Sequence, residues 1–457
     1  MSVVERGHPM VQTPVLPLFF RFAGQALISL LAITSASLVD GLFVGNLVGA
    51  DALAAVTLLV PYFTLLFALA LVLAIGGSVR AGHHLGAGNA MAAGRLFGAA
   101  LLTIALLAML AGVAATLWPH LLFDALGAPA RLRPLMAEYL GIMNMALVIQ
   151  LVTMVAYYFI RSDGHPELAT RALIGGALCN MLLNGLLVGV LELGLAGAAW
   201  ATLLAQLIQI LLLGRYFQRP ERTLRLRLNG YPWRDMAAVW RNGLSEGVNE
   251  ISVGVVIWLI NWLMLDAVGP DGVAAFSIVN YLIFTGVMIC YGIVDGVHPL
   301  VSHNQGAGRP DRVRQVVKMA ALTLAAIAVL MTSLLLLAGS RIPALFLDTD
   351  EQHTLILASH YLAIIWPLFL FNGFNMLIAV TFTALQRPLP SALIAFSRGL
   401  ILPVGLMLWL ANRFADTSFL LALPLAEGLT LALALLLVLK TPITTKPPCQ
   451  HTGGTEH

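Results

Sequence analysis

Charge is what this sequence has least of. Asp, Glu, Lys and Arg make up 10% of the 457 residues, against 59% hydrophobic residues. A soluble protein carries about 25% charged residues, so a water-surrounded globule is excluded. Cysteine is scarce as well. Cys179, Cys290 and Cys449 stand at no spacing that builds a metal site or a disulfide framework. No GxxxxGK[ST] loop occurs, which excludes ATP as the energy source on sequence grounds. The Gly-Ala-Gly loops at 86–88 and 306–308 share only composition with anion-cradling loops. No nucleophile–base arrangement is present, so enzymatic activity is not expected. No small-residue cleavage site follows "MSVVERGHPMVQTP", so the first apolar run is expected to remain as a helix rather than leave as a signal peptide.

What the chain has instead is long apolar runs. A helix needs about 20 apolar residues to cross the hydrocarbon core. About twelve such runs are found, near 16–45, 52–79, 96–118, 135–160, 168–190, 195–217, 242–266, 273–302, 315–339, 354–385, 389–411 and 417–439. Gly-rich stretches such as "GALCNMLLNGLLVG" suit close helix packing in lipid. The fold expected is an all-α membrane protein.

The few cations are placed unevenly. With both termini on the cytoplasmic side, 21 of the 25 Lys and Arg residues fall inside, among them Arg80, Arg161 and Arg398, and only Arg131, Arg133, Arg341 and Arg413 fall outside. This is the positive-inside pattern, and it predicts a multi-pass protein of the cell membrane, a bacterial inner membrane, with both termini cytoplasmic. The basic clusters are short loops, which argues against nucleic acid as a partner. The densest, at 215–241, holds seven arginines and two prolines and reads as an anchor on anionic headgroups. The tail 441–457 is polar and rich in Pro and Gly, the composition of a disordered segment.

The chain repeats itself. "GADALAAV" (49–56) recurs as "GPDGVAAF" (269–276), and "HHLGAGNA" (83–90) as "HNQGAGRP" (303–310), both at an offset of 220. "EYLGI" (138–142) pairs with "HYLAI" (360–364), and His165-Pro166 with Arg387-Pro388, at 222. Six spans per unit is an even number, so both units insert the same way round. They are expected to be related by an axis along the membrane normal, with the functional site between them. The expected parts are lobe 1–217, basic linker 218–241, lobe 242–440 and tail 441–457.

The exit of the first helix, "SLVDGLFVGNLVGADALAAV", and "GHHLGAGN" after the second resemble the multidrug and toxic compound extrusion (MATE) family. "DGVHPLVSHNQGAGRPDRV" resembles its MepA-like branch. The resemblance covers residues 14 to 440. It implies two six-helix lobes around a central cavity, exporting organic, often cationic compounds in exchange for protons or sodium ions. Two departures stand out. The family's proline near the start of the first helix is missing from "FRFAGQAL", with Pro17 lying earlier. Where ion-binding relatives show Asn-x-x-x-Asp in the fifth helix, this chain reads "NMLLN", so Asn184 replaces a carboxylate.

Asp40 is the leading candidate. A charge at the bilayer centre costs about 2.5–3.5 kcal/mol on insertion scales, and intramembrane carboxylates are functional by default. Asn180 and Asn184 share one helix face at i,i+4, and Thr202 lies in "GAAWATLLAQ", which resembles the family's sixth helix. These are the expected partners of Asp40 in an ion-coupling site. Glu250, Asp295 and Glu427 are second-lobe candidates. Asp295 either lines the inner vestibule or pairs with His298 or His303. Glu427 holds the repeat position of Gln206 and is either a second buried carboxylate or faces the outer cavity. Glu246 is expected to be a solvated acid at a helix start, and Asp266, Asp271, Asp348, Asp350 and Glu351 to be solvated in outer loops. Ser37, Gln150, Gln206 and Asn280 are the expected polar lining of a mostly apolar cavity, with Met143, Met145 and Met154 as adaptable surface.

The expected function is secondary active export by alternating access, coupled to protons rather than sodium because Asn184 removes a carboxylate. Beyond that ion no cofactor or metal is expected. The partners are small organic molecules and the bilayer, with no obligate protein partner. The nearest alternative is a lipid-linked precursor or polysaccharide flippase of the same superfamily, which would show a more basic cavity and extra spans. A non-transporting scaffold or an intramembrane enzyme is the alternative of another class. The charge asymmetry is directly testable: a cysteine placed beside Arg225 should resist membrane-impermeant thiol reagents in intact cells, and ready labelling there would reverse the topology.

Overall fold

The computed structural model of the chain describes residues 9–338, 352–414 and 417–443. Among the described residues, eleven helices are long and apolar enough to cross a membrane, and a twelfth crossing is the pair Gln352–Ile365 and Leu368–Ala384, bent by 49°. The bend falls at Pro367, which lacks the N–H a continuous helix needs. We label the crossings α1 (Val15–Val48), α2 (Ala50–Gly86), α3 (Ala90–Leu117), α4 (Arg133–Ser162), α5 (Pro166–Val190), α6 (Gly194–Gln218), α7 (Trp233–Ala267), α8 (Pro270–Gly306), α9 (Pro310–Leu337), α10 (the bent pair), α11 (Pro388–Arg413) and α12 (Thr417–Lys440). Among the described residues there is no strand. Cys449, the tail beyond residue 443, and Arg341, Asp348, Asp350 and Glu351 lie outside them.

Turn chemistry sets the helix starts. Pro166, Pro270, Pro310 and Pro388 each open a helix, where the missing N–H is harmless. The Asn89 side chain accepts the Ala92 N–H at 3.0 Å and caps α3, as N-cap Asn does. Gly49 and Gly269 precede α2 and α8 at φ +118° and +89°, a conformation that favours glycine. These two glycines are the repeat's own partners, 220 residues apart.

The start of α7 differs from the expectation. The helix begins at Trp233, not near 242, so only 219–232 connects the lobes. That connection packs on the first lobe. Its backbone crosses α3, where a Cβ on Gly94 or Gly98 would fall 2.2 Å from the Arg225 carbonyl oxygen or 2.4 Å from that of Arg227. Leu224 is buried, and Asp163 accepts from Tyr216 Oη–H at 2.6 Å and from the Thr223 N–H at 2.9 Å. The Arg225 and Arg227 residues themselves remain exposed.

The lobes join through reciprocal glycine contacts. A Cβ on Gly86 would fall 2.1 Å from the His303 carbonyl oxygen, and a Cβ on Gly306 would fall 2.1 Å from the His83 carbonyl oxygen. Positions 86 and 306, and 83 and 303, are repeat partners, so one contact is the other after a half-turn. The same operation takes Gly76 against Gly243 into Gly296 against Ala23, and Gly247 against Val72 into Leu27 against Gly292. The repeats are therefore parallel and related by a pseudo-two-fold. Glycine is what lets these backbones approach so closely.

Two helices bind the lobes together. The start of α1 (Phe19, Phe22, Ala23) packs in a cluster with Ile293, Val297 and Leu300 of α8, while its end (Val44) packs with α2, α4 and α6. The start of α7 (Met236, Val239) likewise sits in the first lobe's cluster, and its outer part (Leu259, Leu263) in the second lobe's. All these joints lie at one end of the bundle, where α1 begins and α2 finishes beside Arg80. We call it the arginine-rich end. Toward the opposite end, a cavity of about 800 Å³ separates the lobes and is lined from both.

The seam makes a sharp prediction. Gly306→Ala places a methyl against backbone, and overpacking of this kind costs about 1–3 kcal/mol, here paid by the seam-closed form. A cysteine at Ser302, now buried, should gain thiol reactivity in that background. The control Gly24→Ala, with nothing within 4 Å, should leave it unchanged. Equal reactivity in both would contradict the packing role.

Candidate functional site

In α1 the apolar face is interrupted by Asp40, which lines the cavity half-buried. Opposite it, the i,i+4 spacing on α5 turns Asn180 and Asn184 the same way. Asn184 Nδ2 donates to Asp40 Oδ1 at 2.8 Å and approaches Asn180 Oδ1 at 3.4 Å. Asn180 Nδ2 donates to Thr202 Oγ1 of α6 at 3.3 Å. Asp40, Asn180, Asn184 and Thr202 thus form one chain of polar groups across three helices. Asn184 is fully buried, and its Oδ1 has no partner among the described residues. A π-helical turn follows Asp40 at Val44–Val48 and Asn184 at Gly185–Val190. Such turns often mark functional positions in helices.

Ser37, Gln150, Gln206 and Asn280 all line the same cavity. Gln206 offers a buried Oε1 with no partner among the described residues, while Ser37 turns back to the Ile33 carbonyl oxygen at 3.1 Å. Of the three methionines expected there, Met143 and Met154 line the cavity. Met145 does not: it is 50% exposed on the outside of α4, because two residues of helix turn a side chain about half-way round.

The structure differs from the expectation in three further places. Glu246 is not a solvated helix start. It lies 4% exposed, several turns into α7, because α7 begins earlier than its apolar run. Asp295 pairs with neither His298 nor His303. It forms a buried ion pair with Arg161 of α4, while His303 Nδ1 lies 2.9 Å from the Pro299 carbonyl oxygen of its own helix. Arg161 and Arg398, counted as inner-loop cations, lie inside helices. Arg398 Nε donates to Glu427 Oε1 at 2.8 Å, and Asn372 and Asn375 donate to the two Glu427 oxygens at 2.9 and 2.7 Å. Glu427 is therefore a buried carboxylate whose charge is matched in place. A π-helical turn, Ser397–Ile401, surrounds Arg398, two residues ahead of Pro403. Glu250 lines the cavity half-buried.

The wall is acidic. Asp40, Glu246, Glu250, Asp295 and Glu427 line it, against Arg398 as the one cation among its lining residues. A flippase-like basic cavity is not what the chain forms. Sequence reasoning missed Arg398, Asn372 and Asn375; the signal available was an arginine deep within an apolar run, the same anomaly that singled out Asp40. Among the described residues no cluster of His, Cys, Asp and Glu could hold a metal ion.

Comparison with known proteins follows the same lines. The family model MatE matches residues 26–186 and 252–407. The multidrug export protein MepA of Staphylococcus haemolyticus is 23% identical, over 87% of each chain. An FAD transporter of Shewanella oneidensis is 26% identical, over 92% of this chain and 93% of its own. Among solved structures, a MOP superfamily transporter from Pyrococcus furiosus shares the fold at TM-score 0.83 and 20% identity, over 94% of this chain and 97% of its own. A mutant of the Vibrio cholerae MATE transporter VcmN does so at TM-score 0.86 and 17% identity, over 94% and 98%.

The Arg398–Glu427 pair can be tested apart from any activity. Removing one partner of a buried pair costs about 3–5 kcal/mol. Arg398→Met should therefore lower thermal stability clearly, and adding Glu427→Gln to it should restore most of the loss. No recovery in the double variant would mean that the two groups do not balance each other.

Proposed function

The chain belongs to the MatE family, a family of membrane transporters, and from that premise we propose that it exports organic cations in exchange for protons. The observation that carries the reading is the Asp40–Asn184–Asn180–Thr202 chain on the wall of an acidic cavity between two lobes. A carboxylate in that position must be neutralised, either by a proton or by the positive charge of a substrate. The two exclude one another at one oxygen, and that exclusion is what opposes their movements. Binding can drive the cycle only because each ligand favours one state of the lobes over the other.

Sodium is the poorer candidate. Sodium ligation favours several oxygens and negative charge, yet Asn184 turns an N–H toward Asp40 and brings no second carboxylate. The name of the Shewanella oneidensis relative suggests an anionic cargo, but here the one cavity arginine is already engaged with Glu427, which favours cations. The positive-inside pattern supports a reading in which the arginine-rich end and both termini face the cytoplasm of a bacterial inner membrane. On that reading the conformation described, with that end closed, is outward-open. No cofactor beyond the coupling ion and no protein partner enters this reading.

Asp40→Asn keeps the shape of the site but fixes it as neutral, so it should still bind substrate while losing gradient-driven export. Asn184→Asp puts a second negative charge beside Asp40, which a bound cation would relieve, so export should shift its pH optimum and gain sodium dependence. Drug export measured across a pH series, with and without sodium, checks both. Wild-type export by Asp40→Asn would make Asp40 structural.

A further inference from the structure

A second cluster of ionisable groups lies apart from Asp40, at the seam. Arg161 and Asp295 cancel each other across the lobes, 2% and 5% exposed. The Arg161 guanidinium lies over the rings of Tyr157 and Tyr158, at 5.2 and 5.8 Å to their centroids. Its Nε and Nη2 have no partner among the described residues. Beside this pair, Glu246 and His298 approach to 4.0 Å, each 4% exposed. The groups facing Glu246 are Asn249 from α7, Tyr158 from α4, Tyr291, Asp295 and His298 from α8, and Arg398 from α11; Arg161 faces His298, and Glu250 faces Tyr291. Both arginines already have carboxylate partners, Asp295 and Glu427. Among the described residues, Glu246 is thus left as an acid with no arginine or lysine of its own.

A buried carboxylate without a cation is not tolerated as a bare charge. One proton, on Glu246 or on His298 beside it, makes the cluster neutral. We propose that Glu246 and His298 form a second proton-binding site of this transporter, set into the seam between the lobes, which gives up its proton when the arginine-rich end opens.

The placement explains why opening would release it. Glu246 lies between Gly243 and Gly247, and both pack directly on α2, against Val72 and Ala68. The same backbone contact that seals the seam seals Glu246 from the arginine-rich side. From the opposite side Glu246 lines the cavity, so a proton can arrive from there. Parting the seam lets water reach the carboxyl group from the arginine-rich end. The O–H bond then breaks, the proton passes to that water, and Glu246 becomes a hydrated carboxylate. Arg161 leaves with α4, while Asp295 and His298 stay with α8. Export coupled to proton entry needs this order: loading from the cavity, release at the arginine-rich end. The state with more bound protons is favoured at low pH, so acid should hold the seam closed.

The inference rests on the proton-coupled reading above, and the test separates the two. Spin labels at Met91→Cys and Arg314→Cys, exposed positions on α3 and α9, report lobe separation at the arginine-rich end. The three native cysteines are replaced by alanine, and the full chain is studied in lipid nanodiscs between about pH 6 and about pH 8. In an Asp40→Asn background the ratio of seam-open to seam-closed forms should rise with pH, by up to about tenfold per pH unit for one proton. Adding Glu246→Gln should flatten that dependence, and Glu246→Ala replaces it with the same expectation should the glutamine variant not fold. A flat Asp40→Asn profile beside a steep one without that substitution would overturn the seam site and leave the Asp40 reading standing. A flat profile in both would overturn both. A double variant as steep as Asp40→Asn alone would show that the proton resides elsewhere.

Discussion

The structure depends on one constraint: in a medium of low dielectric constant, charge must be cancelled where it stands. Among the described residues, five carboxylates line the cavity. For two of them cancellation is built into the fold, Asp295 by Arg161 and Glu427 by Arg398. For Asp40, Glu246 and Glu250 no arginine is supplied. In the mechanism we propose, cancellation there falls to something that can come and go, a proton or a cationic substrate, and this division into fixed and exchangeable charge balance is what would make the polar cavity a coupling device.

The duplicated chain supplies the geometry that the proposed movement needs. Parallel repeats related by a pseudo-two-fold meet through glycines at equivalent positions, Gly86 with His303 and Gly306 with His83. Contacts of this kind are backbone to backbone, so they close fully or not at all; packed interfaces are bistable rather than continuously deformable. Helices α1 and α7 each begin on one lobe and end on the other. They carry Asp40, Glu246 and Glu250, so all three of these acids ride on the helices that join the lobes.

Much of this is legible in the sequence, because lipid imposes simple rules. Twelve apolar runs, a repeat at an offset of 220 and a lone Asp40 in an apolar span follow from composition and spacing. Asn180, Asn184 and Thr202 could be set beside Asp40 because they are polar exceptions on helices of the same lobe. What escapes is pairing at a distance. Arg161 and Asp295 are separated by 134 positions and belong to different lobes, so no local pattern joins them. Counting cations by sidedness left Arg398 as one inner cation among 21, although it stands within the run 389–411, where it pairs with Glu427. Glu246 read as solvated because the apolar run starts near 242; the helix itself starts at Trp233, carried back by a polar, amphipathic turn that packs on the first lobe.

The central claim is that mobile positive charge at Asp40 links substrate and ion. The direct measurement is substrate flux in proteoliposomes of the purified wild-type protein, with a proton gradient and a sodium gradient imposed separately. The account predicts transport of an organic cation under the proton gradient alone, together with counterflow of protons. Transport driven only by the sodium gradient, or with no movement of protons, would contradict it.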